Sequence, residues 1–158
     1  MAKLRGISGD GVVGYSTDIH SAAKNPVGKR AYDESDNEYI YLKGVADTLA
    51  GSWVSFDEAG LTLLAVANAQ GRVAVAKAAT VASTWGWYQI YGSTSALCLV
   101  SFVDNGKVYL TATPGSVDDT DVSADFVLGA VGRSARDTTT GMATFELNYP
   151  MVLDLAAD

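Results

Sequence analysis

The sequence predicts a mainly β protein, an antiparallel sandwich or small barrel body that carries an extended N-terminal arm. Three observations point there. From residue 39 onward, short runs of β-branched and aromatic residues recur about every ten residues, with Gly, Asn and Asp between them. Hydrophobic residues make up 48% and charged residues 18% of the 158, which is enough to fill one core and too apolar for disorder. Residues 1–30 differ in kind: they hold Gly6, Gly9, Gly11, Gly14 and Gly28 and a net charge of +3, against −10 for residues 31–158. The chain therefore divides into a basic glycine-rich arm, 1–30, and a β-rich body, 31–158.

Within the body the elements follow in order. The run 39–42 is aromatic and β-branched and follows the acidic turn 33–38. Residues 52–56 alternate with period two, and the turn 57–60 leads into a strand over 61–66. Gly71 precedes a strand over 72–76. The clearest strand is 85–91, with Trp85, Trp87, Gln89 and Tyr91 on one face. Strands over 96–103 and 107–113 flank Asp104-Asn105-Gly106, a hairpin signal because Asn-Gly takes positive φ readily. Strands over 126–131 and 142–149 close the set. The alanine-rich stretch 65–82 reads as strand, turn and strand, with a short helix near 76–82 as its alternative.

Composition excludes several function classes. One cysteine, Cys98, permits no internal disulfide and no thiolate zinc site. One histidine, His20, leaves little for general-base chemistry, so no enzyme, catalytic residue, metal or cofactor is expected. An acidic body without a basic stripe argues against nucleic acid and anionic membrane as partners. The N-terminus shows no apolar leader pattern, which predicts an intracellular product.

Each motif that suggests chemistry has a plainer reading. Gly9-Asp10-Gly11-Val12-Val13-Gly14 spells the dinucleotide fingerprint, but too few residues precede it for the strand that the fold requires, and Pro26 cuts short the helix. Ser8 lies outside any nucleophile-elbow pattern, and His20 lacks an orienting carboxylate. Cys98, in Ala96-Leu97-Cys98-Leu99-Val100, reads as a small buried hydrophobe. The acidic groups Asp33, Asp36, Glu38 and Asp118, Asp119, Asp121, Asp125 lack a calcium-loop register and read as solvated turns. Trp53, Trp85 and Trp87, with Tyr88 and Tyr91, suit a core or subunit interface, or else a sugar-stacking platform.

The order of motifs resembles a family. Gly106-Lys107-Val108-Tyr109-Leu110-Thr111-Ala112-Thr113-Pro114-Gly115-Ser116-Val117 is followed by Val127-Leu128-Gly129-Ala130-Val131 and then Gly141-Met142-Ala143-Thr144-Phe145-Glu146-Leu147. This is similar to the closing half of the small capsid decoration, or cement, proteins of tailed bacteriophages. Gly44-Val45-Ala46, Trp53-Val54-Ser55-Phe56-Asp57, Val73-Ala74-Val75-Ala76 and Gly86-Trp87-Tyr88-Gln89-Ile90-Tyr91-Gly92 resemble the preceding strands, so the likeness spans residues 40–149.

The resemblance implies a virion protein, made in the host cytoplasm and seated on the capsid exterior. It would be a homotrimer clamping neighbouring subunits of the major capsid protein. In the arm, Lys3, Leu4, Arg5, Ile7, Val12, Val13 and Tyr15 offer apolar anchors with basic flanks for capsid contact, and Trp85, Trp87 and Tyr91 suit trimer packing. The alternative is a carbohydrate-binding β-module, free or displayed on a virion for host adhesion, which requires Trp85 or Trp87 to be exposed.

Overall fold

The computed structural model describes residues 1–7 and 9–153. Ser8 therefore lies outside the described residues. The strands are β1 (Lys3–Gly6), β2 (Val12–Tyr15), β3 (Ile19–His20), β4 (Arg30–Tyr32), β5 (Glu38–Lys43), β6 (Trp53–Phe56) and β7 (Thr62–Leu64). They continue with β8 (Gly71–Ala76), β9 (Trp85–Leu97), β10 (Lys107–Leu110), β11 (Val117–Asp118), β12 (Phe126–Gly132) and β13 (Met142–Val152). The only helical element among the described residues is one 3₁₀ turn, Ser123–Asp125, and no helix there is long and apolar enough to cross a membrane.

These thirteen strands form one sheet in the order β11-β10-β12-β13-β8-β9-β5-β4-β1-β2, with β3 on β9 and the β6–β7 pair on β8. The path is open: β11 and β2 stand at its two ends and do not pair, so the body is mainly antiparallel β without a closed barrel. β9 is the central beam. Its first half pairs with β5 and β8, its second half with β13.

Period-two alternation sorts the side chains into layers. From β8, Val73 and Val75 enter the largest core cluster, with Trp53, Phe145 and Leu147, while Ala74 and Ala76 face Ile40, Leu42, Val54, Phe56 and Tyr88. From β5, Ile40 and Leu42 join that second cluster, while Tyr39 and Tyr41 turn to a third with Leu4, Ala31 and Trp87. Strands buried on both faces explain why β5 and β8 read as near-continuous apolar runs. Trp53 meets Phe145 edge-on at 5.1 Å, and its indole N–H donates to the Leu97 carbonyl at 3.1 Å.

Three expectations need correction. Residues 1–30 are not a free extended arm: β1 pairs with β4 and β2, β3 pairs with β9, and Leu4 is fully buried. Short strands separated by glycine turns gain order here by joining a sheet whose apolar face needs covering. The Asn105-Gly106 turn does form, with Asn105 at φ 57°, but it does not join two paired strands. Residues 92–97 instead continue β9, and β10 pairs with β11 and β12. No helix forms near 76–82, because Thr80 bridges to Thr48 and its hydroxyl hydrogen-bonds Tyr88 at 3.0 Å.

Candidate functional site

The N-terminal strands build one exposed face. β1 alternates, with Lys3 and Arg5 outward and Leu4 and Gly6 inward. Lys3 stands opposite Tyr15, and Arg5 stands opposite Val12 on one side and Tyr32 on the other. Directly opposed residues of antiparallel strands share a face, so Lys3, Arg5, Val12, Tyr15 and Tyr32 lie together. Val12, Tyr15 and Tyr32 are 49%, 41% and 38% exposed, and Ile7, just after β1, is 51% exposed. Among the described residues no strand lies beyond β2, but Tyr15 on that edge is tied back by Asp18, whose amide donates to the Tyr15 carbonyl at 3.0 Å, so only the part of the edge before Tyr15 is open.

Charge on this face is basic. Asp10 is taken up by Lys29 at 2.9 Å, and the Asp18 carboxylate accepts the Tyr15 amide at 2.9 Å. Among the described residues, Lys3 and Arg5 have no carboxylate at ion-pair distance. Val13 is half-buried against the third core cluster and Leu4 lies inside it. Leu4 is thus withdrawn from the capsid-facing set by its burial, whereas Lys3, Arg5, Ile7, Val12 and Tyr15 reach the surface.

The aromatic residues separate in the same way. Trp87 is 1% exposed and packs on Tyr41 with ring centres 5.0 Å apart, so it is core and cannot meet a partner subunit or a sugar. Trp85 is half-buried with the Lys43 ammonium 5.7 Å over its ring. Tyr91 is 40% exposed and stacks beside Tyr149 at 5.4 Å. A single strand face therefore does not present Trp85, Trp87 and Tyr91 to one partner.

The remaining titratable groups serve the fold. Asp33 is buried and accepts hydrogen bonds from the amides of Ser35 and Asn37, the Asn37 side chain and the Tyr39 hydroxyl. Asp118 accepts from the Ser101 and Thr120 hydroxyls, and Asp125 from the Asn68 amide at 2.6 Å. These aspartates are buried turn anchors rather than solvated charges. No group of three or more His, Cys, Asp or Glu among the described residues is placed to hold a metal. His20 Nδ1 lies 2.7 Å from the Tyr41 hydroxyl. Burial pushes the Cys98 thiol up to about 11. The glycine fingerprint runs into strand β2, not a helix, so no helix N-terminus faces a pyrophosphate.

Two open concavities complete the surface. One, of about 570 Å³, lies between β6, β7 and the start of β8, where Arg72 caps the Phe56 ring at 4.5 Å and Leu61 and Leu63 are exposed. The other, of about 600 Å³, lies beside the middle of β9, between Asn37, Tyr91, Ser93, Arg133, Glu146 and Asn148. No family model matches the chain, and no curated protein or solved structure matches it. Sequence reading missed Tyr32 and Tyr149, since nothing local shows that Tyr32 sits across from Arg5 or that Tyr149 takes φ 49°.

Proposed function

We propose that this protein is a structural virion protein that binds the outer surface of an assembled phage capsid and clamps neighbouring major capsid subunits. The observation that carries the reading is the exposed face of Lys3, Arg5, Val12, Tyr15 and Tyr32 on strands that end in an open edge. Exposed aromatic and apolar side chains between unpaired cations have the composition of a protein-binding surface, where aromatic residues and arginine carry most of the energy. The short part of the β2 edge before Tyr15, whose own backbone groups Asp18 occupies, offers backbone groups to an extended segment of the shell. On a chain of net charge −7, this local positive field orients the molecule toward an acidic partner.

Clamping then works by mass action. A ligand that binds only the assembled shell stabilises it by RT ln(1 + [L]/Kd) at each site, so modest contacts summed over many copies resist internal pressure. Assembly as a homotrimer on the capsid exterior remains part of the proposal, with its contact assigned neither to Trp87, which is buried, nor to Tyr91, which packs on Tyr149 of the same chain. The test is a Lys3→Glu/Arg5→Glu variant mixed with capsids stripped of this protein. Both residues are exposed, so folding is retained and co-sedimentation falls at least about tenfold, a change of roughly 1.4 kcal/mol per site. Undiminished co-sedimentation would remove this face from the account.

A further inference from the structure

We propose that the cleft beside Gly92 of β9 is a binding site for a neutral saccharide, on residues separate from the capsid-facing set. Its volume, about 600 Å³, falls in the range of small-ligand sites. Its walls are fixed before any ligand arrives. Asn37 is locked by donating to Asp33 Oδ2 at 3.0 Å and accepting the Ser93 amide at 3.1 Å. Gly92, at φ 93°, forms the floor, and a Cβ there would collide with Asn37 Oδ1. The absence of a side chain at Gly92 is what lets Asn37 pack against the strand there.

One wall is aromatic and braced. Tyr91 leans on Tyr149, whose hydroxyl donates to the Glu38 carboxylate. Tyr149 sits at φ 49°, a conformation costly for a bulky residue and one that recurs at functional sites. The exposed Tyr91 ring is thus a stacking surface already fixed in place. Opposite it, Arg133 donates through Nε and Nη2 to Glu146 Oε2, each at 2.8 Å. That pair cancels its own charge and leaves Glu146 Oε1 as an acceptor. Among the described residues, the Ser93 hydroxyl and the Asn148 amide have no hydrogen-bond partner and are exposed.

The ligand class follows from this chemistry. A phosphate or sulfate would find the Arg133 guanidinium already bonded to Glu146, on a chain of net charge −7, and an apolar ligand would strand the amide and hydroxyl groups. A pyranose has an apolar face for the tyrosine and hydroxyls for serine, asparagine and the carboxylate. Of the aromatic platform read from the sequence only Tyr91 takes part, since burial removes Trp53, Trp87 and Tyr88.

The test is an amide-resolved NMR titration of the full chain with maltohexaose, cellohexaose, chitohexaose and, as an anionic probe, heparin hexasaccharide. A neutral hexaose should shift the amides of Gly92, Ser93 and Asn148, and Tyr91→Ala and Asn148→Ala should each weaken binding roughly tenfold. Asn148 is exposed, so that variant stays folded if Tyr91→Ala does not. Shifts with heparin alone, no shift with any neutral probe at about 20 mM, or binding indifferent to both substitutions would overturn the proposal. Capsid co-sedimentation of Asn148→Ala should match the parent, which keeps the two readings separable.

Discussion

The Tyr39 hydroxyl donates to Asp33 Oδ2 at 2.8 Å, both groups buried at the join between the N-terminal strands and the body. Burial alone would raise the Asp33 pKa, but the hydrogen bonds from Asn37, Tyr39 and Ser35 outweigh it and hold the carboxyl below its ordinary 3.8. Tyr39 moves the opposite way, raised by burial first and by Asp33 next, so the proton stays on the phenol.

A pH dependence follows. A carboxylate with a depressed folded pKa contributes stability that is complete above its unfolded value, 3.8, and is lost as pH falls through the lower folded value. Tyr39→Phe should cost about 2 kcal/mol near pH 7, since it removes a hydrogen bond to a charged group. Denaturant unfolding should show that cost shrinking as pH falls below 3.8 and through the lower folded value. A cost independent of pH would deny the carboxylate its role.

Leu4 makes the N-terminal strands part of the fold. It is fully buried with Ala31, Tyr39, Tyr41 and Trp87. Leu4→Ala should destabilise by about 2–5 kcal/mol, the cost of a core cavity. Deleting residues 1–28 should expose Tyr41 and Trp87 and lower the thermal midpoint. A truncated chain that melts like the full one would restore the free arm.

Gly129 reports on the bulge between β12 and β13. It lies at φ 77°, and a Cβ there would collide with the backbone oxygen of Asn148. Unlike a flexible side-chain tip, that backbone oxygen cannot swing away, so Gly129→Ala should lose at least about 2 kcal/mol. Equilibrium unfolding measures it, and an unchanged midpoint would contradict the bulge geometry.

Cys98 should resist labelling. Its thiol, buried and raised to about 11, is almost entirely protonated at neutral pH, and the thiolate is the reactive form. A disulfide reagent should modify it only as fast as the chain unfolds. Rapid labelling in native buffer would place the thiol at the surface.

Much of the fold was legible because period-two patterns act locally. The strands over 39–42, 52–56, 72–76 and 126–131 each overlap an observed strand, and alternation in β9 correctly put Trp87 and Tyr88 on opposite faces. What failed depended on partners far along the chain. Leu4 looks like an arm residue until β1 is seen against β4, a pairing that carries it into the cluster over Trp87. Gly92 looks like a strand end, yet β9 continues through it, with Asn37 filling the place of its side chain and accepting the next amide. The acidic turn 33–38 looked solvated for the same reason: Asp33 is buried only once Tyr39 folds over it. At the candidate site, the exposure of Lys3 and Arg5 followed from alternation, while Tyr32 joined them through register that no local pattern encodes.

The most direct test of the central claim is sedimentation of the native protein from the material in which it is made. The account predicts that it travels with a megadalton shell, is released by mild denaturant or high salt, and rebinds when these are removed. A protein that sediments only as a free small oligomer, with no shell fraction at any ionic strength, would contradict capsid binding.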